Sequence, residues 1–280
     1  MIRIVYFSGT GGTARAAQAL ASAFAARGAE ADVQEIRRGG QTKADGELLA
    51  LLYPVHAANA PKPVHEWLDG LSAVRDVPAV VVSVSGGGEV FPNLGCRARI
   101  IQKLERKGYR VVYEKDLVMP SNFLEATPDG WAAELLRVLP RRAAAIADDV
   151  LSGLERRVRT RLRDRALSAL LTVEHKGAPL WGRRLRVAEA CIGCGWCARE
   201  CPCANIRMKD GKPEFLKQCA LCTRCVYGCP AGAIQPGMLR SAVLEGGFSL
   251  ARYEGLSVSS GTPEGALWTG LKRYFEDDGM

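Results

Sequence analysis

Cys191-Ile192-Gly193-Cys194-Gly195-Trp196-Cys197-Ala198-Arg199-Glu200-Cys201-Pro202 is followed, 28 positions on, by Cys219-Ala220-Leu221-Cys222-Thr223-Arg224-Cys225-Val226-Tyr227-Gly228-Cys229-Pro230. Both runs read C-x2-C-x2-C-x3-C-P, and together they take eight of the chain's ten cysteines. Three thiolates two residues apart on one tight loop reach three corners of an iron–sulfur cube, and the fourth corner must come from elsewhere. The proline then closes the local turn, since it lacks an N–H and its φ is fixed. Between the runs, Ile206–Lys209 and Lys212–Phe215 flank Asp210-Gly211, the dipeptide of a two-residue hairpin. Structural zinc uses four cysteines in two pairs, and a disulfide framework needs an oxidising compartment; neither accounts for the repeat. Cys203, where the second copy has Ala231, and the isolated Cys96 read as small buried residues.

Outward from this module, the first residues set a second theme. Ile2–Phe7 is an apolar β-rich run, Ser8-Gly9-Thr10-Gly11-Gly12-Thr13 a glycine-rich loop, and Ala17, Leu20, Ala21 and Phe24 recur at helical spacing. A loop of this kind at a helix start offers free N–H groups and a positive dipole end, and the Ser8, Thr10 and Thr13 hydroxyls add donors for phosphate oxygens. Gly9, Gly11 and Ala14 also satisfy G-x-G-x-x-A, with Glu35 placed as a ribose acid, so a dinucleotide competes with a phosphate monoester such as FMN. Strands follow at 31–36, 47–55, 78–84 and 109–118, with helices at 63–71 and 94–107. The continuous apolar character of the third and fourth strands suits a parallel sheet covered on both faces. The expectation is a doubly wound α/β domain with its ligand at the carboxyl ends of the strands.

Phe7–Thr13, with Pro54-Val55-His56 and Ser85-Gly86-Gly87-Gly88, resembles a flavodoxin domain, and with Cys191–Pro230 the chain is similar to the flavodoxin–ferredoxin fusion proteins of anaerobes. The resemblance implies FMN, its phosphate on Ser8, Gly9, Thr10, Gly11, Gly12 and Thr13. It implies the isoalloxazine between Pro54, Val55, His56, Ala57 and Asn59 on one side and Ser85, Gly86, Gly87, Gly88 and Phe91 on the other. Gly12 stands where flavodoxins usually carry asparagine, and the usual tryptophan and tyrosine stackers are missing from these loops. For the cysteines it implies two [4Fe-4S] clusters with crossed ligation, as in two-cluster ferredoxins: Cys191, Cys194, Cys197 and Cys229 on one, Cys219, Cys222, Cys225 and Cys201 on the other. His56 reads either as the polar side chain nearest the expected ring, where a positive charge would stabilise anionic reduced flavin, or as a surface histidine beside a proline turn, while His65 reads as a packing or solvated residue.

The fold expected is therefore α/β: a flavodoxin-like, doubly wound, five-stranded parallel sheet over 1–150, a basic helical linker over 151–186, a small α+β two-cluster ferredoxin domain over 187–236, and an extension over 237–280. The formal charge is +8, concentrated between Arg141 and Arg186, where twelve Lys and Arg face five Asp and Glu. Ala143–Leu171 reads as one amphipathic helix, with Ile146, Val150, Leu154, Val158, Leu162 and Leu170 on its apolar stripe and Arg156, Arg157, Arg159, Arg161, Arg163 and Arg165 opposite. Arginines left in water account for this better than a membrane surface, and no nucleic-acid reading module accompanies them. A terminal helix is expected from Thr262-Pro263, with Leu267, Trp268, Leu271, Tyr274 and Phe275 on one side. No apolar stretch approaches a membrane span and no secretory leader is visible, so a soluble, cytoplasmic chain is expected. The function expected is electron relay between FMN, the clusters and an acidic redox partner. A flavin-dependent reductase fed by the clusters, or a cluster-binding sensor or assembly partner, are the rivals.

Overall fold

The computed structural model describes residues 1–257 and 268–276. Its first part alternates strand and helix: β1 (Ile2–Tyr6), α1 (Gly12–Ala25), β2 (Ala31–Glu35), β3 (Leu48–Pro54), α2 (Lys62–Gly70), β4 (Val77–Ser85), α3 (Ala98–Arg106), β5 (Tyr109–Val118) and α4 (Asp129–Leu151). The strands form one parallel sheet in the order β2-β1-β3-β4-β5. This is the doubly wound order whose topological switch lies between β1 and β3, so the loops after those strands define the crevice.

Side-chain alternation sorts the sheet between two cores. Ile4, Ala50, Leu52, Val80 and Val82 pack with Leu20 and Phe24 of α1 and Ile146 of α4. Val5, Leu49, Leu51, Ala79 and Val81 pack with Val64 and Leu68 of α2 and Ile100 and Leu104 of α3. Because both faces are covered, β3 and β4 tolerate no polar alternation, which is why they read as unbroken apolar runs.

The basic segment departs from the expected single helix. α4 runs through Pro140 and ends at Leu151; Gly153, at φ +77°, turns the chain out of the helix. Residues 152–161 then lie along the edge of β5, where Arg156 N donates to Val112 O and Glu114 N donates to Arg156 O, both at 2.9 Å. Arg157 bridges Glu105 and the buried Glu114. Helices resume only at α5 (Leu162–Leu171) and α6 (Val173–Gly182), and Leu154, Leu162 and Leu170 are exposed rather than lining a buried stripe. A strand edge with open hydrogen-bonding groups outcompetes helical periodicity here.

The cysteine module is built on two short sheets, β6 (Arg186–Val187) with β9 (Ile234–Gln235) and β7 (Ile206–Lys209) with β8 (Lys212–Phe215), plus α7 (Trp196–Glu200) and α8 (Arg224–Tyr227). Asp210 and Gly211 both have positive φ, 49° and 75°, as a two-residue hairpin turn requires. The module is not a separate bead. Cys203 and Ala220 belong to the α2/α3-side core, and Cys201 and Cys222 pack against it. Cys96 is also buried.

In the extension, α9 (Thr269–Glu276) lays Leu271, Tyr274 and Phe275 on Leu135 and Val138 of α4. The expected helix start at Thr262-Pro263, and Leu267, lie outside the described residues. No described helix is long and apolar enough to cross a membrane.

Candidate functional site: two sulfur cavities and a hydroxyl-lined crevice

The eight repeat cysteines surround two cavities, each fed by both runs. One is lined by Cys191, Cys194, Cys197 and Cys229, the other by Cys219, Cys222, Cys225 and Cys201. Among the described residues no three His, Cys, Asp or Glu converge closely enough to chelate a single ion; the thiols stand apart around a space instead. Four thiols around a cavity form a donor set that fits a polynuclear iron–sulfur core.

Loop geometry points backbone N–H groups at these sulfurs. Asn205 N donates to Cys201 Sγ at 3.3 Å, Leu221 N to Cys219 Sγ at 3.4 Å and Ala233 N to Cys229 Sγ at 3.3 Å. Such bonds tune a cluster's potential. Without metal, burial pushes the Cys219 thiol up to about 12 and Cys222 up to about 11, and drives Cys225 well above its ordinary value. Mutual repulsion with Cys201 adds to the rise at each of the three. A cationic metal core is what would make four thiolates affordable in that pocket.

The second crevice lies at the carboxyl ends of β1, β3 and β4. Ser8, Gly9, Thr10, Gly12 and Thr13 line it from the glycine-rich loop, Pro54, Val55 and His56 from the loop after β3, and Ser85 from the end of β4. Its described lining holds no carboxylate. Gly11, at φ +98°, precedes the first residue of α1, and Ser8 Oγ accepts from Gly11 N and Ala14 N at 3.2 and 3.3 Å. Asn122 Nδ2 donates to Thr10 Oγ1 at 2.7 Å. Three hydroxyls beside a helix N-terminus fit a phosphoryl group, so the loop suits the phosphate end of FMN.

The other residues predicted for the ring do different work. Ala57, at φ 43°, forms a turn clasped by paired His56–Asn59 backbone bonds, and the buried Asn59 donates to Ser168 O of α5. A Cβ on Gly86 would crowd Ser121, and Gly87 and Gly88 receive Gly270 of α9 in backbone contact, so these glycines accommodate the chain's own segments. Gly88 N donates to Ser85 Oγ at 2.8 Å. Phe91 points outward, 59% exposed. His56 does not bring a positive charge: burial, reinforced by His175, lowers it to about 4, so it is neutral at physiological pH. His65 is buried as a packing residue.

Residues that sequence reading missed complete the crevice. Met119 and Asn122 follow β5, and Phe248 arrives from the C-terminal extension, supplying an aromatic face that the flavin loops themselves lack. Cys222 lines this crevice as well as its own sulfur cavity. A Cβ on Gly9 would strike the Cys222 carbonyl, so the glycine is required by close approach of the two loops. Arg224 locks the junction. Its guanidinium donates to Gly9 O and Ser8 O at 2.9 Å and to Glu200 O at 3.0 Å, and it pairs with Glu35. Glu35, the candidate ribose acid of the dinucleotide reading, is thereby engaged. Arg224 occupies the repeat position of Trp196, one of several positions at which the two runs differ, so nothing in the sequence set it apart.

No family model matches the chain. The methylamine utilization ferredoxin-type protein MauM of Methylorubrum extorquens is 33% identical over 89 residues, 25% of this chain and 40% of that protein. The chain thus spans less than half the length of this curated relative. Among solved structures, the two-electron reduced Megasphaera elsdenii flavodoxin is 25% identical and covers 52% of this chain and 99% of its own, with a TM-score of 0.36. A flavodoxin from the domain Archaea is 17% identical, covering 54% and 99%, with a TM-score of 0.38. The oxidised flavodoxin 2 of Bacillus cereus is 18% identical, covering 53% and 98%, also at 0.38. By its own strand order and cysteine spacing, the chain joins a flavodoxin-like doubly wound α/β domain to a module with two ferredoxin-type cysteine runs.

Proposed function

We propose that the chain is an electron-transfer protein holding FMN in the hydroxyl-lined crevice and a [4Fe-4S] cluster in each sulfur cavity. FMN exchanges one or two electrons and a cubane one, so holding both couples two-electron to one-electron chemistry. The observation that carries this reading is Cys222, whose residue forms a wall of both the crevice and the neighbouring sulfur cavity.

The protein's own part is positioning. Ser8, Thr10, Thr13 and the start of α1 offer donors to a phosphoryl group, and Val55, Met119 and Phe248 give the remainder of the crevice apolar walls. Arg224 pins the loop to the second cysteine run, fixing the separation between the two sites. Cys197 of one sulfur set and Cys225 of the other pack into one small cluster around Ile206 and Ile234, so the two sets are neighbours. The order is crevice, proximal set (Cys201, Cys219, Cys222, Cys225), distal set (Cys191, Cys194, Cys197, Cys229), and the distal set reaches solvent at Cys194 beside Ile192, 71% exposed.

Anaerobic purification with iron, sulfide and flavin quantified per chain tests this: eight iron, eight sulfide and one FMN are the stoichiometry of two cubanes and one flavin. Zinc, or an empty chain that takes up neither cluster nor flavin on reconstitution, would falsify it.

A further inference from the structure

A cleft of about 930 Å³ opens between the end of α6 and the turn after β9, lined by Arg183, Arg184, Arg186 and Arg240 around Leu185 and Pro236. Among the described residues, Arg183, Arg186 and Arg240 have no carboxylate partner, and no acidic residue lines the cleft. This contrasts with the arginines upstream, where Arg157 is neutralised by Glu105 and Glu114 and Arg163 lies beside Asp164. Of the basic charge that the composition locates broadly between Arg141 and Arg186, three arginines thus meet Arg240 at one concave place, whereas Arg159, Arg161 and Arg165 stand exposed outside it.

Its location matters as much as its charge. Leu185 and Pro236 are shared with the wall of the proximal sulfur cavity. β6 and β9 pair Arg186 with Gln235, and the turn at Gly237, φ +57°, packs so closely on Arg184 that a Cβ there would meet the Arg184 carbonyl. The cleft is therefore a fixed feature of the cysteine module. Leu180 and Trp181, 50% and 36% exposed, stand at the end of the helix leading into it.

We propose that this cleft is the docking site for the acidic face of a redox protein. A small-molecule pocket presents a few buried, preorganised polar groups. Here Arg183, Arg184, Arg186 and Arg240 are all exposed, the arrangement of a charged rim that steers a macromolecule, with Trp and Arg the residue types that anchor protein interfaces. Docking here brings the partner against the proximal set rather than the solvent-facing distal one. The inference builds on the electron-transfer reading, but docking itself is measured without it.

The test is calorimetric titration of the full loaded, oxidised chain with a strongly acidic two-cluster ferredoxin as probe, at low and high salt. Wild type binds, and affinity falls as salt rises. Arg183→Glu, Arg186→Glu and Arg240→Glu together weaken binding by about tenfold or more and flatten the salt dependence. Arg159→Glu, Arg161→Glu and Arg165→Glu, an equal charge change on exposed residues elsewhere, shift it by less than about twofold. Equal weakening by both triples would reduce the effect to net charge and overturn the proposal. So would unchanged ferredoxin binding by the cleft triple, including the case where pyrophosphate binds the wild type and not that triple. Iron, sulfide and flavin content, measured on the same samples, reports on the electron-transfer reading separately.

Discussion

The two cysteine runs share a pattern, a helix and a repeat offset, yet occupy opposite situations. The first ends in solvent, with Cys194 and Ile192 exposed. The second is pressed into the sheet domain, with Ala220 in its core, Cys222 against the glycine-rich loop and Arg224 bonded to Ser8 and Gly9. Sequence symmetry therefore covers functional asymmetry. One run faces the glycine-rich loop and the other faces solvent, and the second carries Arg224, which bonds that loop, where the first has Trp196.

The largest effect expected from this difference is chemical reactivity. In the metal-free chain at pH 8, iodoacetamide labels the exposed Cys194 first and Cys219, Cys222 and Cys225 last, by about a hundredfold in rate. A thiol held near 11 is only about one part in a thousand thiolate at that pH. The sign with pH follows: the Cys222 thiol remains protonated below its raised value, so moving from pH 8 to 9 speeds its labelling about tenfold without a plateau. Site-resolved mass spectrometry reads this. Uniform labelling of all eight thiols would mean that inner and outer runs do not differ.

A second prediction concerns the junction. Gly9→Ala forces a Cβ onto the Cys222 carbonyl, whereas Gly12→Ala meets only Met119 Cβ at 3.7 Å, ordinary contact. Gly9→Ala should cost about 1–3 kcal/mol of stability and loosen retained flavin, and Gly12→Ala under about 0.5 kcal/mol. Denaturant unfolding and flavin content after gel filtration measure both. Equal costs at the two glycines would break the claim that the inner run rests on the loop.

Much of this was legible before any coordinates. The doubly wound parallel sheet follows from the unbroken apolar runs of β3 and β4 and the loop after β1, and the grouping of the cysteines was an implication of the ferredoxin resemblance. What was not legible shares one cause, dependence on long-range contact. Phe248 enters the crevice from an extension with no motif, Arg224 looks like any charged residue between cysteines, and the glycines at 86–88 serve Ser121 and α9. The arginine-rich segment misled because amphipathic periodicity cannot register that the edge of β5 is open to pair with Arg156.

The smallest effect tests the backbone symmetry of the runs. Positions 193 and 221, 195 and 223, and 204 and 232 all take positive φ, so each repeat needs three left-handed residues. The first run supplies Gly193 and Gly195, while the second holds Leu221 at 51° and Thr223 at 56°. A β-branched residue there carries about 1–2 kcal/mol of strain. Thr223 recovers part of it, since its Oγ1 donates to Cys222 O at 2.8 Å and its carbonyl accepts from Val226 N and Tyr227 N at the start of α8. Thr223→Gly should therefore raise stability by no more than about 1 kcal/mol, strain relief being offset by the lost hydrogen bond and the freer unfolded chain. Gly195→Thr, its mirror, keeps the equivalent carbonyl bonds from Ala198 N and Arg199 N but adds the left-handed strain and a Cβ 3.2 Å from Arg199 Nη1, and should lose about 1–2 kcal/mol. Thermal unfolding of the loaded chain under argon reads both changes. If Gly195→Thr were neutral, the outer run would not need its left-handed glycine, and the shared backbone path of the two runs would be coincidence rather than a requirement of wrapping a cluster.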